Sequence, residues 1–425
     1  MTTRPTDHHA PRAFDDALLE RLAREHGTPL YVQGLDEIED RVRDLAAFDV
    51  VRYAMKANPT VAFLRAARDA GAWVDCVSAG ELHRAFAAGF PREHVCFTAD
   101  LFDRESLAAV ASARCAVNLG SEDMVEQYAH ALRGAGAPTS SPVGVTLRLN
   151  PGFGHGHDRK VNTGGPASKH GIWHTHLAAT VDRVRSAGLE VEGLHMHIGS
   201  GTDMQHLLRV CDAMRSAARE VGPSLRSISA GGGLPVPYRA GDPELDVAAY
   251  SRAWTAVRDD LSGEFGRELR LEVEPGRFLA ARPAVVVTEV RAVKDVDGTP
   301  FVLVDAGFNV LCRPMVYGAH HGISVIGRDD EPQVPTMVAG PLCESGDVFT
   351  QIRGGEPEPR LLPRCEVGDL LCLHDTGAYG SSMASRFNST AIAAEVAVQR
   401  GEARLVRPRL GDDATLLAEL RVLGG

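Results

Sequence analysis

The sequence predicts an α/β protein built from a (β/α)8 TIM barrel and a second, mostly antiparallel β domain. Three observations carry that prediction. Eight short, apolar, β-branched runs are each followed by a stretch in which apolar residues recur at three- and four-residue steps. The runs end, one after another, in a polar or reactive residue or a glycine. After about residue 280 the helical rhythm stops, and strand-like runs separated by turns take over.

In chain order the runs are Val50–Ala57, Trp73–Ser78, Val95–Thr98, Cys115–Leu119, Val143–Asn150, Val191–Ile198, Leu225–Ala230 and Leu269–Glu274. Helix-like stretches such as VAFLRAARDA, AGELHRAFAAG, MVEQYAHALR and HLLRVCDAMRSAAREV lie between them. Strands that are apolar throughout are buried on both faces, as in a parallel sheet whose crossovers are helices. A doubly wound open sheet has the same alternation, but eight units between Val50 and Glu274 fit a closed barrel better. At or beside the ends of the runs stand Lys56, Ser78, Thr98, Asn118, Asn150, His197, Gly231 and Glu274. Barrel enzymes keep their chemistry at the C-terminal ends of the strands, so this series also favours the barrel. Beyond it, VVVTEVRAV, FVLVDAGF, TMVAGPLC, LLCLHDTGAY and ARLVRPRL read as strands and DDATLLAELRVL as a short C-terminal helix. The early run TPLYVQ precedes the first barrel unit and is expected to join the β domain. The expected bounds are 36–280 for the barrel and 281–425 for the β domain, with 1–35 joined to the latter.

At 425 residues, 44% hydrophobic and 24% charged, the chain has the composition of a globular enzyme. Its formal charge of −11 argues against a nucleic-acid binder, which needs basic groups to displace phosphate counterions, and against adhesion to an anionic membrane. The eight cysteines include no CxxC pair and no Cys/His array with zinc spacing, so neither disulfides nor a metal are expected. The N-terminus lacks the apolar core of a signal peptide, and no run is long enough to span a bilayer; the expected compartment is the cytoplasm.

Lys56, in YAMKANPT, closes an apolar strand at a barrel mouth, where it suits a Schiff base or a general base. Alone, it reads first as a snorkelling lysine. Gly231 to Gly233 follow the seventh strand, and three glycines allow backbone N–H groups to approach an anion, whereas a tight turn needs only one or two. LEVEPGR sets Glu274, Gly276 and Arg277 in the neighbouring loop, where they suit either a heterocycle and a phosphate or a helix cap. His195 and His197 alternate onto one face of the sixth strand. A metal pair there lacks further ligands, so His197 is read as a ring against an aromatic cofactor and His195 as structural. Ser200, between Gly199 and Gly201, is a phosphate donor or part of a plain turn.

In the β domain, AGPLCESGDVF places Cys343, Glu344 and Asp347 in one Gly-bounded loop, an acid–base site or a free core cysteine. Tyr379 lies in a Gly-rich bend, and Arg313 and Tyr317 stand four apart in an apolar setting, where an arginine pairs with a carboxylate of the protein or of a substrate. From Asn150 to Gly171 runs a long Gly-rich insertion, either a cover for the site or a surface loop; its His155 and His157 alone are a weak metal signal.

Taken in order, YAMKANP, DCVSAGEL, HMHIGSG, SAGGGL, EPGRF, AGPLCESGD and DTGAYG resemble the motifs of the fold-type-III pyridoxal-phosphate decarboxylases. CESGD and RPMVY resemble the diaminopimelate branch more than the ornithine and arginine branches, and the insertion is similar to that of one bacterial subgroup of it. The resemblance spans nearly the whole chain. It implies a barrel that binds pyridoxal 5′-phosphate and a head-to-tail homodimer with two active sites at its interface. It implies catalytic roles for Lys56, which bonds the cofactor, for His197, which stacks on it, and for Cys343 as proton donor. Glu274 would meet the pyridine nitrogen, while Ser200, Gly233, Gly276 and Arg277 hold the phosphate and Tyr379 reaches cofactor and substrate. Arg313 and Tyr317 would hold the distal end of the substrate, with Arg277 also touching it, and Glu344, like Cys343, would come from the partner subunit.

The implied reaction is decarboxylation of meso-2,6-diaminopimelate at its D centre to L-lysine and CO2, the last step of lysine biosynthesis. The same chemistry on D-lysine, D-ornithine or a related amino acid is the alternative, and Arg313 weighs against it, since those substrates carry no distal carboxylate. A binding protein without activity would be expected to lack Lys56 or Cys343, and a metal-dependent hydrolase would need more ligands than the strand ends supply.

Overall fold

The computed structural model describes residues 14–136, 142–156, 160, 162–328, 330–411 and 413–423. The chain divides into two compact units. One comprises Ile38–Val236 and Glu244–Leu279; the other gathers the chain up to Glu37, Pro237–Pro243 and everything from Ala280 onward.

The first strand, β1 (Leu30–Gly34), belongs to the second of these units. The barrel strands follow: β2 (Val50–Ala54), β3 (Trp73–Cys76), β4 (Val95–Ala99), β5 (Ala116–Leu119) and β6 (Val143–Asn150). A two-residue strand, β7 (Ile172–Trp173), pairs with the end of β6, and then come β8 (Leu189–Met196), β9 (Ser227–Ser229) and β10 (Arg270–Val273). All pairings are parallel, in the order β5-β4-β3-β2-β10-β9-β8-β6, and β5 pairs with β6 to close the barrel. The expected eight strands are all present, each followed by helix. Most bounds shift by one to three residues, and one shift bears on the site. Lys56 does not end a strand: β2 stops at Ala54, and Met55–Ala57 turn as a 3-10 helix. The parallel ladder gives out there, and the Ala54 N–H goes to the Pro275 carbonyl instead.

Inside the barrel wall, Arg52 of β2 donates to Glu272 of β10 at 2.6 Å, both side chains nearly sealed from solvent. Arg52 also lies over the Trp73 ring, and Arg270 shares the same carboxylate. Removing one member of a buried pair strands the other without solvent, at about 3–5 kcal/mol. Glu272→Ala is accordingly expected to lower barrel stability by about that amount, seen as an earlier urea transition, whereas Arg270→Ala at the exposed end costs under about 1 kcal/mol.

The other unit is a mixed sheet. β1 lies between β11 (Ala284–Val296), antiparallel, and β17 (Ala394–Gln399), parallel. β12 (Thr299–Val304), β13 (Ile323–Val325), β14 (Gln333–Ala339), β15 (Arg360–Pro363), β16 (Leu370–Leu373) and β18 (Glu402–Arg407) complete it, with antiparallel pairs predominating. Side chains alternate between its faces. Tyr31, Val286 and Val290 fill one core with Val302, Val304 and Leu371. Leu30, Val32, Val285 and Val287 fill the other, which is capped by Leu19, Leu22 and Ala23 of the helix Asp16–His26. Asp15 starts that helix by accepting the Leu18 N–H at 2.7 Å. The C-terminal helix spans Asp413–Leu423. Among the described residues no helix is long and apolar enough to cross a membrane.

Candidate active site

The C-terminal ends of the barrel strands hold a dense polar group. Residues 50 to 58 are all buried except Lys56, because Met55 and Ala57 anchor the 3-10 turn inward and leave the ammonium group facing out. Asp75 on β3 is buried, and burial together with the Glu274 charge pushes its carboxyl up to about 7, against the opposing pull of Lys56, Thr98 and Arg52. The folded protein therefore holds this proton more tightly than the unfolded chain does. The stability it contributes is full below about pH 4, the unfolded carboxylate range, and is lost as pH rises through about 7. In the cofactor-free protein, Asp75→Asn should melt above wild type at pH 8 and level with it at pH 4; a constant gap across that range would contradict the assignment.

Glu274 stands beyond the end of β10. Burial alone would raise its pKa, but His195, Arg52 and Ser229 outweigh that and keep it ionised. His195 approaches one carboxylate oxygen at 2.9 Å, and the Ser229 hydroxyl donates to the other at 2.7 Å. His195, read from the sequence as structural, thus braces the acid of the site. Its neighbour His197 is kept neutral by burial, and the charges of Arg148 and Lys56 add to that. The Gly232 N–H donates to His197 Nδ1 at 3.2 Å, which leaves the hydrogen on Nε2.

The glycine loop and the Ser200 loop are locked to each other. Both Gly201 and Thr202 donate backbone N–H groups to the Gly233 carbonyl at 3.1 Å. Gly233 has φ +94, and a Cβ there would run into the Gly199 carbonyl oxygen, so only glycine lets the two loops come this close. Arg277 reaches across to the Ser200 hydroxyl at 3.1 Å, which brings Ser200, Gly233, Gly276 and Arg277 into one patch. The insertion is pinned to the same loop: the His155 and Thr163 N–H groups both donate to the Ile198 carbonyl at 3.1 Å, and the Thr163 hydroxyl donates to the His197 carbonyl. Asn150 clamps its two limbs, accepting from Gly152 and Gly165. His157 lies outside the described residues.

The remaining predicted residues lie in the other unit. Arg313 and Tyr317 open and close the short helix Arg313–Tyr317, which Gly318 ends at φ +60. Arg313 is 2% exposed; it donates to His321 Nε2 at 2.8 Å and lies 4.8 Å over the Tyr238 ring. His321 Nδ1 in turn meets the His374 carbonyl, an acceptor, so the ring's other nitrogen is the one that accepts from Arg313. Neither histidine was singled out in the sequence. Tyr379 is held at φ +58, an uncommon backbone for a tyrosine. Cys343 is the one exposed cysteine of the eight, and Glu344 beside it is exposed too. Asp347 is not part of that exposed pair; its buried carboxylate accepts the Phe308 and Leu342 N–H groups and closes the loop from within.

Residues 35–281 match the pyridoxal binding domain of the pyridoxal-dependent decarboxylases, and residues 210–377 match their C-terminal sheet domain. The chain belongs to the pyridoxal-dependent decarboxylases. Within this family it is 50% identical over 407 residues to a diaminopimelate decarboxylase of Streptomyces coelicolor, covering 94% of this chain and 91% of the relative. A solved diaminopimelate decarboxylase superposes with a TM-score of 0.91 at 45% identity, over 97% of this chain and 99% of the other. The Helicobacter pylori enzyme, solved with L-lysine, gives 0.85 at 28% identity, over 94% and 99%. This decarboxylase thus sits in the diaminopimelate branch, with pyridoxal phosphate as its cofactor.

The decarboxylase's own residues fit that cofactor. Ser200, Gly233 and Arg277 meet in a patch where a phosphate would lie, an exposed amine stands just past β2, and a neutral imidazole and an ionised carboxylate stand just past β8 and β10 of the same barrel.

Proposed function

We propose that the chain decarboxylates meso-2,6-diaminopimelate at its D centre, releasing CO2 and L-lysine, as a cytoplasmic head-to-tail homodimer. Bound pyridoxal phosphate supplies the electron sink that the departing carboxylate requires. Lys56 would hold the cofactor covalently through its aldehyde. Glu274, kept ionised by His195 and Ser229, favours a proton on the pyridine nitrogen. Neutral His197 offers an uncharged ring face. Ser200, Arg277 and the backbone at Gly233 and Gly276 hold the phosphate. Tyr379 touches cofactor and substrate.

Cys343 of the partner subunit delivers the proton to Cα after CO2 has left, and Glu344 of the partner subunit takes the distal ammonium. Their exposure in the single chain supports that reading. Arg313 and Tyr317 hold the distal carboxylate, and Arg277 also contacts the substrate.

The observation that carries the substrate is Arg313: a buried guanidinium oriented by His321 and Tyr238 suits a planar anion. The L-lysine in the H. pylori relative is consistent, as this is the product of the proposed reaction. The test is CO2 release from meso-diaminopimelate, D-lysine and D-ornithine side by side, with chiral analysis of the product. Preference for D-lysine or D-ornithine would overturn the assignment.

A further inference from the structure

The insertion and the helix Met204–Val221 bring together three metal-ligating groups that the reaction does not use. His155 comes from the insertion. Asp203 caps the helix, accepting the His206 N–H at 2.9 Å, and His206 lies in its first turn. The spacing Asp203-x-x-His206 sets both side chains on one helix face, and the His155 ring packs against that of His206. His155 Nε2 is 3.5 Å from one Asp203 oxygen, His206 Nδ1 is 2.9 Å from the carboxylate, and one ligand atom from each of the three residues falls within 4.8 Å of the others.

We propose that His155, Asp203 and His206 bind one divalent transition-metal ion, with Zn2+ the best match. Bonds of about 2.0–2.2 Å to nitrogen and oxygen place tetrahedral donors about 3.4 Å apart. The two measured edges straddle that value, and the third closes by ring rotation at part-exposed side chains. Two imidazoles and a carboxylate favour zinc, nickel or cobalt over magnesium or calcium. The imidazole rings already stack at 4.0 Å and 12°, with the carboxylate against both. His155 Nδ1 is covered and has no hydrogen-bond partner, so Nε2 carries the ring's polar interaction. Side-chain exposures of 34%, 51% and 31% leave room for water in the fourth position.

The position gives the ion a purpose. The Thr202 hydroxyl donates to the His155 carbonyl at 3.0 Å, and Thr202 is part of the loop that carries Ser200. Arg209 of the same helix covers the Phe153 ring of the insertion at 4.1 Å. A metal bound here fastens the insertion to the loop beside the phosphate patch. The sequence hid this site because the Gly-His-Gly-His motif contributes only His155 to it, and the other two ligands come from TDMQH some fifty residues later.

The experiment titrates ZnSO4 into holoenzyme first stripped with EDTA and dialysed, with bound metal counted by mass spectrometry. One Zn2+ per chain is expected, and His155→Ala combined with His206→Ala should weaken it roughly 100-fold. Asp203→Asn, which keeps the helix cap, should weaken it by a lesser factor. In wild type alone, Zn2+ should slow amide exchange at His155 and Thr163 by about tenfold. Absence of stoichiometric binding, or equal binding by the double variant, overturns the site. Because the readout is bound metal and amide exchange, its failure leaves the decarboxylation assignment untouched, and the reverse holds.

Discussion

Lys56→Ala is expected to lower decarboxylation by at least ~10^4-fold while leaving the fold intact. The argument is local. Lys56 is the exposed residue in an otherwise buried run of nine, and its buried neighbours Met55 and Ala57 hold the 3-10 turn without it. Removing the amine therefore deletes the nucleophile and little else. Arginine at this position keeps the charge but cannot form the covalent bond, so Lys56→Arg should fail equally; that separates covalent chemistry from electrostatics. Borohydride reduction of the wild-type holoenzyme followed by peptide mass spectrometry should find the cofactor on the peptide containing Lys56. An adduct at another lysine, or none, would remove the basis of the functional assignment.

The second large effect is one of selectivity. Arg313→Ala should reduce kcat/KM for meso-diaminopimelate by roughly 10- to 150-fold, corresponding to ~1.5–3 kcal/mol for a charge-assisted hydrogen bond, while turnover of D-lysine changes little. Arg313 is buried, and its orientation is set by His321 and by the Tyr238 face. On the proposed reading, the distal carboxylate of the substrate would meet a fork already aimed. Arg313→Lys should recover only part of the loss, because a single ammonium cannot make two parallel hydrogen bonds. An equal loss on both substrates would mean that Arg313 supports the site without reading the distal carboxylate.

The barrel was legible because each of its strands is a local apolar run with a polar group or a glycine at or just past the end. Lys56, Asn150, His197 and Glu274 could all be located in that way. The strands of the second unit were legible as runs, but not the mixed pairing that seats β1 between β11 and β17. What escaped depends on register between distant segments. Nothing near Arg52 announces Glu272, and nothing near Arg313 announces His321 as the acceptor for its guanidinium. Asp75 sat in view in an apolar strand, the kind of placement that signals a perturbed carboxyl, yet its partner Glu274 lies just past a strand far along the chain. His195 looked inert for the same reason: its role appears only once β8 and β10 flank β9.

The seating of β1 bears on synthesis. Leu30 pairs with Ala394, so a segment synthesised before the barrel has no neighbour on that side until the barrel and most of the second sheet have emerged. The barrel strands between them are complete well before then. A nascent chain arrested before Ala394 therefore leaves β1 with a bare edge open to unwanted pairing. Messages that stop short of this point should yield aggregation-prone fragments, even though every residue of the barrel has been made.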